Sequence, residues 1–152
     1  MALEAAGSNP VGHPKQGKGD KEKGEGGEVR RGGGIKERQD LRRRTLEFAC
    51  SAVRCAELFS REEAGRIVRK QFLRSATSVG ANYRAAQVAR SKAEFVAKLQ
   101  IALEEADESG YWLEPATETK LLDPQRVGEI RSEARELAAI FMSSLKTAKG
   151  MH

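Results

Sequence analysis

The amino-acid sequence predicts an all-α protein, an antiparallel up-down-up-down four-helix bundle. Three observations predict it. Apolar residues recur at three- and four-residue intervals in four successive segments between residues 35 and 148, the period of a one-sided helix. The links between these segments are short, which favours antiparallel neighbours. No segment shows the strict apolar–polar alternation of a half-buried strand.

The bundle does not begin at residue 1. Residues 1–34 hold ten of the fifteen glycines, and no aromatic residue precedes Phe48. Such a segment cannot bury enough surface to offset its chain entropy. A disordered, charged leader is expected over 1–34, a bundle domain over 35–148 and a frayed tail over 149–152. The 152-residue chain is basic, with net charge +5. About 115 residues suffice for an independent fold, burying roughly two-thirds of their unfolded surface.

Helix 1 is expected from Ile35 or Leu41 to Phe59, with Asp40 as a plausible N-cap. Leu41, Phe48, Ala52, Val53, Ala56 and Phe59 supply its stripe, and Arg42-Arg43-Arg44 is expected to be a solvated face. Ser60-Arg61-Glu62-Glu63 has the spacing of a capping box and opens helix 2. That helix runs to Gln87 or Arg90 on Ile67, Val68, Phe72, Ala76, Val79 and Tyr83. Gly80 costs about 1 kcal/mol of helix propensity relative to alanine, so close backbone packing is expected there. Ser91-Lys92-Ala93-Glu94 is a second capping box and opens helix 3 on Phe95, Leu99, Ala102, Ala106 and Leu113. It is expected to end at Glu114, because Pro115 disfavours the helical conformation in its predecessor. A polar connection, Ala116 to Leu122, precedes helix 4. Asp123-Pro124 opens that helix, which continues on Val127, Ile130, Ala134, Leu137, Phe141 and Leu145 to Lys146.

Charge changes sign between the middle helices. Seven of nine charged residues from Arg61 to Arg90 are basic, whereas Ser91 to Glu114 carries six acids against Lys92 and Lys98. Opposite charge favours pairing of these segments, within one copy or between copies. The candidate nucleic-acid contacts are Arg66, Arg69, Lys70, Arg74, Arg84 and Arg90. Several share a helix face, and repetition in an oligomer would build a surface able to displace counterions from phosphate. In the competing view these cations pair with helix 3 acids and little field remains.

Catalysis is not expected. The two histidines, His13 and His152, lie outside all four helices, so no Ser-His or Cys-His pair forms inside the fold. A di-iron bundle needs paired Glu-x-x-His motifs, which are missing from the sequence. No phosphate-binding glycine loop precedes a helix. No cofactor and no metal are implied. Ser78 and Asn82 share a face, and Glu105 and Glu108 are candidate polar partners across the bundle; a network that sets helix register, or simply exposed acids, is expected in preference to a buried carboxylate site. Cys50 and Cys55 point apart on a helix and are expected to be buried and free. Tyr111 and Trp112 are expected to fill core or subunit contacts. No run of about 18 apolar residues suggests a membrane span, and no signal-peptide pattern is present, so a cytoplasmic location is expected by default.

The residues themselves resemble one family. Arg44-Thr45 with Phe48-Ala49, the run Leu73-Arg74-Ser75-Ala76-Thr77-Ser78-Val79-Gly80-Ala81-Asn82-Tyr83-Arg84-Ala85-Ala86, and Ala89-Arg90-Ser91-Lys92-Ala93-Glu94-Phe95 carry the likeness. Glu105-Ala106-Asp107-Glu108, Tyr111-Trp112-Leu113 and Glu133-Ala134-Arg135-Glu136-Leu137 extend it. Over residues 40–148 the chain resembles the bacterial four helix bundle protein family, first found encoded within intervening sequences of large-subunit ribosomal RNA genes. The resemblance implies a ring-like homopentamer. It also implies kinship with the accessory protein of diversity-generating retroelements, a basic pentamer that binds nucleic acid and a reverse transcriptase. The family often has Glu after Asn-Tyr-Arg, where this chain has Ala85. The expected function is non-enzymatic binding of RNA or DNA by a basic oligomer. The alternative is a structural or protein-interaction ring with no nucleic-acid role of its own.

Overall fold

The structure, a computed structural model, describes the backbone of residues 29–151, and the side chains of Gly34 and residues 36–151. Most of the expected leader, residues 1–28, lies outside that range, as does His152. Four helices follow one another: α1 (Val29–Ala56), α2 (Glu63–Gln87), α3 (Lys92–Glu118) and α4 (Gly128–Ala148), with a 3₁₀ turn at Pro124–Arg126. Each packs mainly on its sequence neighbours, α2 against α3 most extensively, with α1 and α4 in lighter contact. The expected four-helix bundle is formed, and no helix among the described residues is long and apolar enough to cross a membrane.

The core runs the length of the bundle. Phe48, Phe72, Leu99, Leu113, Leu137 and Phe141 are fully or almost fully buried. Phe59 stacks on Phe72 and Tyr83 on Phe141, each at 5.7 Å between ring centroids. Three residues assigned to apolar faces point outward instead: Val53, Ile67 and Tyr111 are each more than half exposed. At 100° per residue each lies well off the buried face of its helix.

Gly80 is a place of close approach between α1 and α2. A Cβ there would stand 3.3 Å from Thr45 Oγ1 and 3.4 Å from Thr45 Cβ. Thr45 is wholly buried, and its hydroxyl donates to the Leu41 carbonyl at 2.8 Å. The lost helix propensity of Gly80 is thus exchanged for interhelical contact, as expected.

Several boundaries differ from expectation, each for a local reason. α1 begins at Val29, six residues inside the leader as drawn. Extending an existing helix adds a hydrogen bond per residue without a new nucleus, so Asp40 is an interior residue and caps nothing. The helix ends at Ala56, and Leu58 and Phe59 continue as tighter i→i−3 turns, donating to Cys55 and Ala56 carbonyls. The capping box at Ser60 does not form. Ser60 Oγ accepts from Glu62 N at 3.2 Å, two residues on, and α2 starts only at Glu63. The Ser60 backbone N–H is instead taken by Leu121 O at 2.7 Å, which ties the two loops at that end together.

At α3 the cap is half as expected. Ser91 Oγ accepts from Glu94 N at 3.1 Å, but the Glu94 carboxylate reaches Arg90 N at 2.8 Å and not Ser91 N. α3 also passes through Pro115 and ends at Glu118, so the expected stop at Glu114 is wrong. Ala116 is fully buried, and its carbonyl accepts from Leu122 N at 3.1 Å. Thr117 Oγ1 donates back to Leu113 O at 3.0 Å. Tertiary packing of that last turn outweighs the local preference of the residue before proline. Asp123 caps as expected, accepting from Gln125 N at 2.9 Å, though the turn it opens is 3₁₀ before α4 proper. The chain beyond α4 is closed by Gly150 in the left-handed region at φ +68°, with Met151 N donating to Lys146 O at 2.9 Å. This is a Schellman-type stop.

Candidate nucleic-acid interface

The α2 cations were expected to share a face, and the helix geometry agrees. Arg66, Lys70, Arg74 and Arg84 are all exposed, and their spacing places them on the outward side of α2. Arg69 is partly buried, on the side of α2 that carries Gly80. Arg90 sits past the helix end, in the turn to α3.

Their charges fare differently. Arg66 pairs with Glu63 one turn back on its own helix. Arg74 crosses to α3, where it contacts Glu108 and lies 3.4 Å from Glu105. Arg90 is a loose 3.9 Å from Glu94. Arg69, Lys70 and Arg84 have no carboxylate within 4.0 Å among the described residues. Within one copy, the competing view of this face, in which helix 3 acids absorb the charge, therefore holds for Arg74 and loosely for Arg90, and not for Arg66, Arg69, Lys70 or Arg84.

The Arg74 cluster is an ordered polar strap. Trp112 Nε1 donates to Glu108 Oε1 at 3.0 Å. This indole bond and the Arg74 guanidinium hold the Glu108 carboxyl below the usual carboxylate range, against a smaller opposing effect of burial. Hydrogen bonding to Glu108 and the field of Glu105 push the Arg74 pKa up. Ser78 and Asn82 do not join in. Ser78 Oγ donates to Arg74 O at 2.7 Å and Asn82 Nδ2 to Ser78 O at 2.9 Å, so both satisfy themselves on α2. The register network expected between these four residues is replaced by Arg74, Glu105, Glu108 and Trp112.

A second strap went unanticipated. Arg44, assigned to a solvated face, is half-buried and reaches α4. Its Nε donates to Glu133 Oε1 at 2.6 Å, and its Nη2 to Glu133 Oε2 at 2.9 Å and Glu136 Oε2 at 2.5 Å. These bonds raise the Arg44 pKa despite some desolvation. The signal was present: Arg44 falls three residues after Leu41 and four before Phe48, on the buried stripe itself.

Beside that strap lies a cleft of about 860 Å³ between α1 and α4. Phe48, Cys55, Leu58 and Ile130 line its floor, and Arg43, Arg54, Arg126, Glu47 and Glu129 are on its walls. Arg43 is taken by Glu47 at 2.8 Å. Burial pushes the Cys55 thiol up, although Arg126 opposes it; a thiol so held is a poor nucleophile at neutral pH. Cys50, expected to be buried, is exposed. Among the described residues no group of three or more His, Cys, Asp or Glu side chains is arranged to hold a metal ion.

Comparison with known proteins accords with this architecture. No curated protein matches the chain. A solved structure of a protein with unknown function from the S23 ribosomal protein family of Bacteroides thetaiotaomicron is similar, with a TM-score of 0.66 and 36% sequence identity. The alignment covers 72% of this chain and 97% of that one. The model of the 23S rRNA-intervening sequence protein family matches residues 37–143, all four helices of the bundle. The chain belongs to the 23S rRNA-intervening sequence protein family.

Proposed function

We propose that this protein is a non-enzymatic, self-associating bundle that binds nucleic acid through its phosphate backbone, without sequence preference. The observation that carries the reading is the outer face of α2. Lys70 and Arg84 stand exposed there, with no carboxylate within 4.0 Å among the described residues. Residues 29–151 hold 23 basic against 17 acidic residues, so this part of the chain as a whole is cationic. Arg66, Arg69, Arg74 and Arg90 complete the proposed contacts. Ring assembly, which the family resemblance implies to be pentameric, repeats the face and strengthens its field. The kinship with a retroelement accessory protein that the family resemblance implies supports a reverse transcriptase as a further partner.

A specific observation favours a second reading, a protein-binding ring with no nucleic-acid role. Arg74, at the centre of the α2 set, is held by Glu105 and Glu108. Binding of heterologous RNA and DNA at two salt concentrations, with mass measured in solution, separates the two. The first reading expects affinity to fall steeply with salt, by a slope of about 0.9 per phosphate neutralised. Absence of binding at low salt supports the second, and a monomeric mass removes the ring from both.

A further inference from the structure

The net positive charge of the described side chains is confined to one end of the bundle. That end is built by the start of α1, the α2–α3 turn and the end of α4. Gln87 Nε2 reaches Arg38 O at 3.4 Å, which brings α1 and α2 to the same level there. Arg38 and Arg42 both act on the Tyr83 hydroxyl, favouring its ionised form against the larger effect of burial. Residues 34–42, 84–98 and 143–151, which make up this end, hold nine basic and three acidic residues. Residues 43–83 and 99–142 hold twelve basic and fourteen acidic. The first half of α2, with Arg66, Arg69, Lys70 and Arg74, and Arg61 in the loop before it, are thus set in surroundings where acids outnumber bases. At the basic end the pair Arg90–Glu94, at 3.9 Å, is the one salt bridge among the described residues.

We infer that the polyanion docks on this end, through Arg38, Arg42, Arg84, Lys92, Lys98 and Lys146, and that it is a duplex. This rests on the nucleic-acid reading above and specifies where and what it binds. Cations in a region of one sign build a field, whereas the same cations among carboxylates largely cancel within a Debye length of about 10 Å. Helices packed 8–10 Å apart spread these groups across about 20 Å, enough to reach phosphates on both sides of a duplex groove about 12 Å wide. The end also lacks what a single strand needs. Its aromatic rings, Tyr83, Phe95 and Phe141, are wholly or partly buried in the core. The exposed Tyr111, edge-on to Trp112 at 5.1 Å, belongs to the second half of α3, nearer the opposite end. Without exposed rings on which bases can stack, worth about 1–3 kcal/mol per base, backbone charge density decides, and a duplex carries more of it.

The test uses the full chain, a 20-base-pair duplex of mixed sequence and its separated strand, with anisotropy titrations at two salt concentrations. An end triple, Arg84→Glu, Lys92→Glu and Lys146→Glu, is compared with a face triple, Arg61→Glu, Arg66→Glu and Lys70→Glu. Corresponding Gln triples guard against misfolding, and helical content is checked for all. The end triple is expected to weaken duplex binding at least tenfold more than the face triple, and to reduce the salt slope by about 0.9 for each phosphate no longer neutralised. The Gln versions should show the same order with smaller losses. A face triple that costs as much as the end triple, or a single strand held more tightly than the duplex, overturns this inference while nucleic-acid binding itself stands. No binding by the unaltered chain at low salt overturns both.

Discussion

Replacing Gly65 by alanine should destabilise the bundle, although alanine is the better helix former. Gly65 lies in the first turn of α2 and is buried under the α1–α2 loop. A Cβ there would stand 2.2 Å from Ser60 O and 2.9 Å from Ser60 C. Both atoms are backbone, so no side-chain rotation relieves the overlap. The loop would have to move, and its Ser60 N–H bond to Leu121 O at 2.7 Å and the seat of Phe59 against Phe72 move with it. Overpacking of this kind costs about 1–3 kcal/mol, and losing the hydrogen bond about 1 kcal/mol more. Alanine returns at most about 1 kcal/mol of helix propensity. A net loss of about 2 kcal/mol is expected. Gly110 is the control: it sits within α3, and a Cβ there meets nothing within 4 Å. Gly110→Ala should therefore stabilise by about 0.5–1 kcal/mol. Urea unfolding followed by helical circular dichroism and by Trp112 fluorescence reads both. With a slope of about 1–3 kcal/mol per molar, the midpoints should move by roughly 1 M and 0.5 M in opposite directions. Shifts of the same sign would refute the reasoning.

Two further predictions come from the straps and thiols. Glu108 holds its proton less readily in the fold than in the unfolded chain. Its contribution is therefore present above the unfolded value of about 4.3 and is lost as pH falls through the lower folded value. Stability should decline across that acid window, and Glu108→Gln should flatten the decline; an unchanged profile in the variant rules out this source. Cys50 is exposed and Cys55 buried with a raised pKa. A thiol reagent should titrate one cysteine in the native chain and two in denaturant, and native Cys50→Ser should give none; rapid reaction of both native thiols contradicts the placement.

The fold was legible because its information is local and repeated. Leu99, Ala102, Ala106 and Leu113 declare a buried face by spacing alone, and Gly80 announced its close approach by being a poor choice for any other purpose. What escaped depends on partners remote in sequence. Nothing near Pro115 says that Ala116 will be buried, so the local preference gave the wrong stop. Nothing near Ser60 says that its N–H will be claimed by Leu121. The candidate interface was half legible: the α2 cations were visible as a run, and their surroundings were not. A run of charge along one helix says little until alternate helices reverse direction and show which ends meet. Arg44 was misplaced for a similar reason, its partners Glu133 and Glu136 lying about 90 residues away.

The meagre packing between α1 and α4 gives the molecule the mechanics of a book. The tightly packed α2–α3 hairpin is the spine, and α1 and α4 are covers held shut along their free edges by the Arg44 clasp. Parting the covers breaks few direct contacts between α1 and α4, whereas bending the spine breaks the most extensive helix pairing in the molecule. Breathing of the native state should therefore be hinged, with amides of the covers exchanging ahead of those of the spine. Any partner that wedges between α1 and α4 would enter along a path that the molecule already opens.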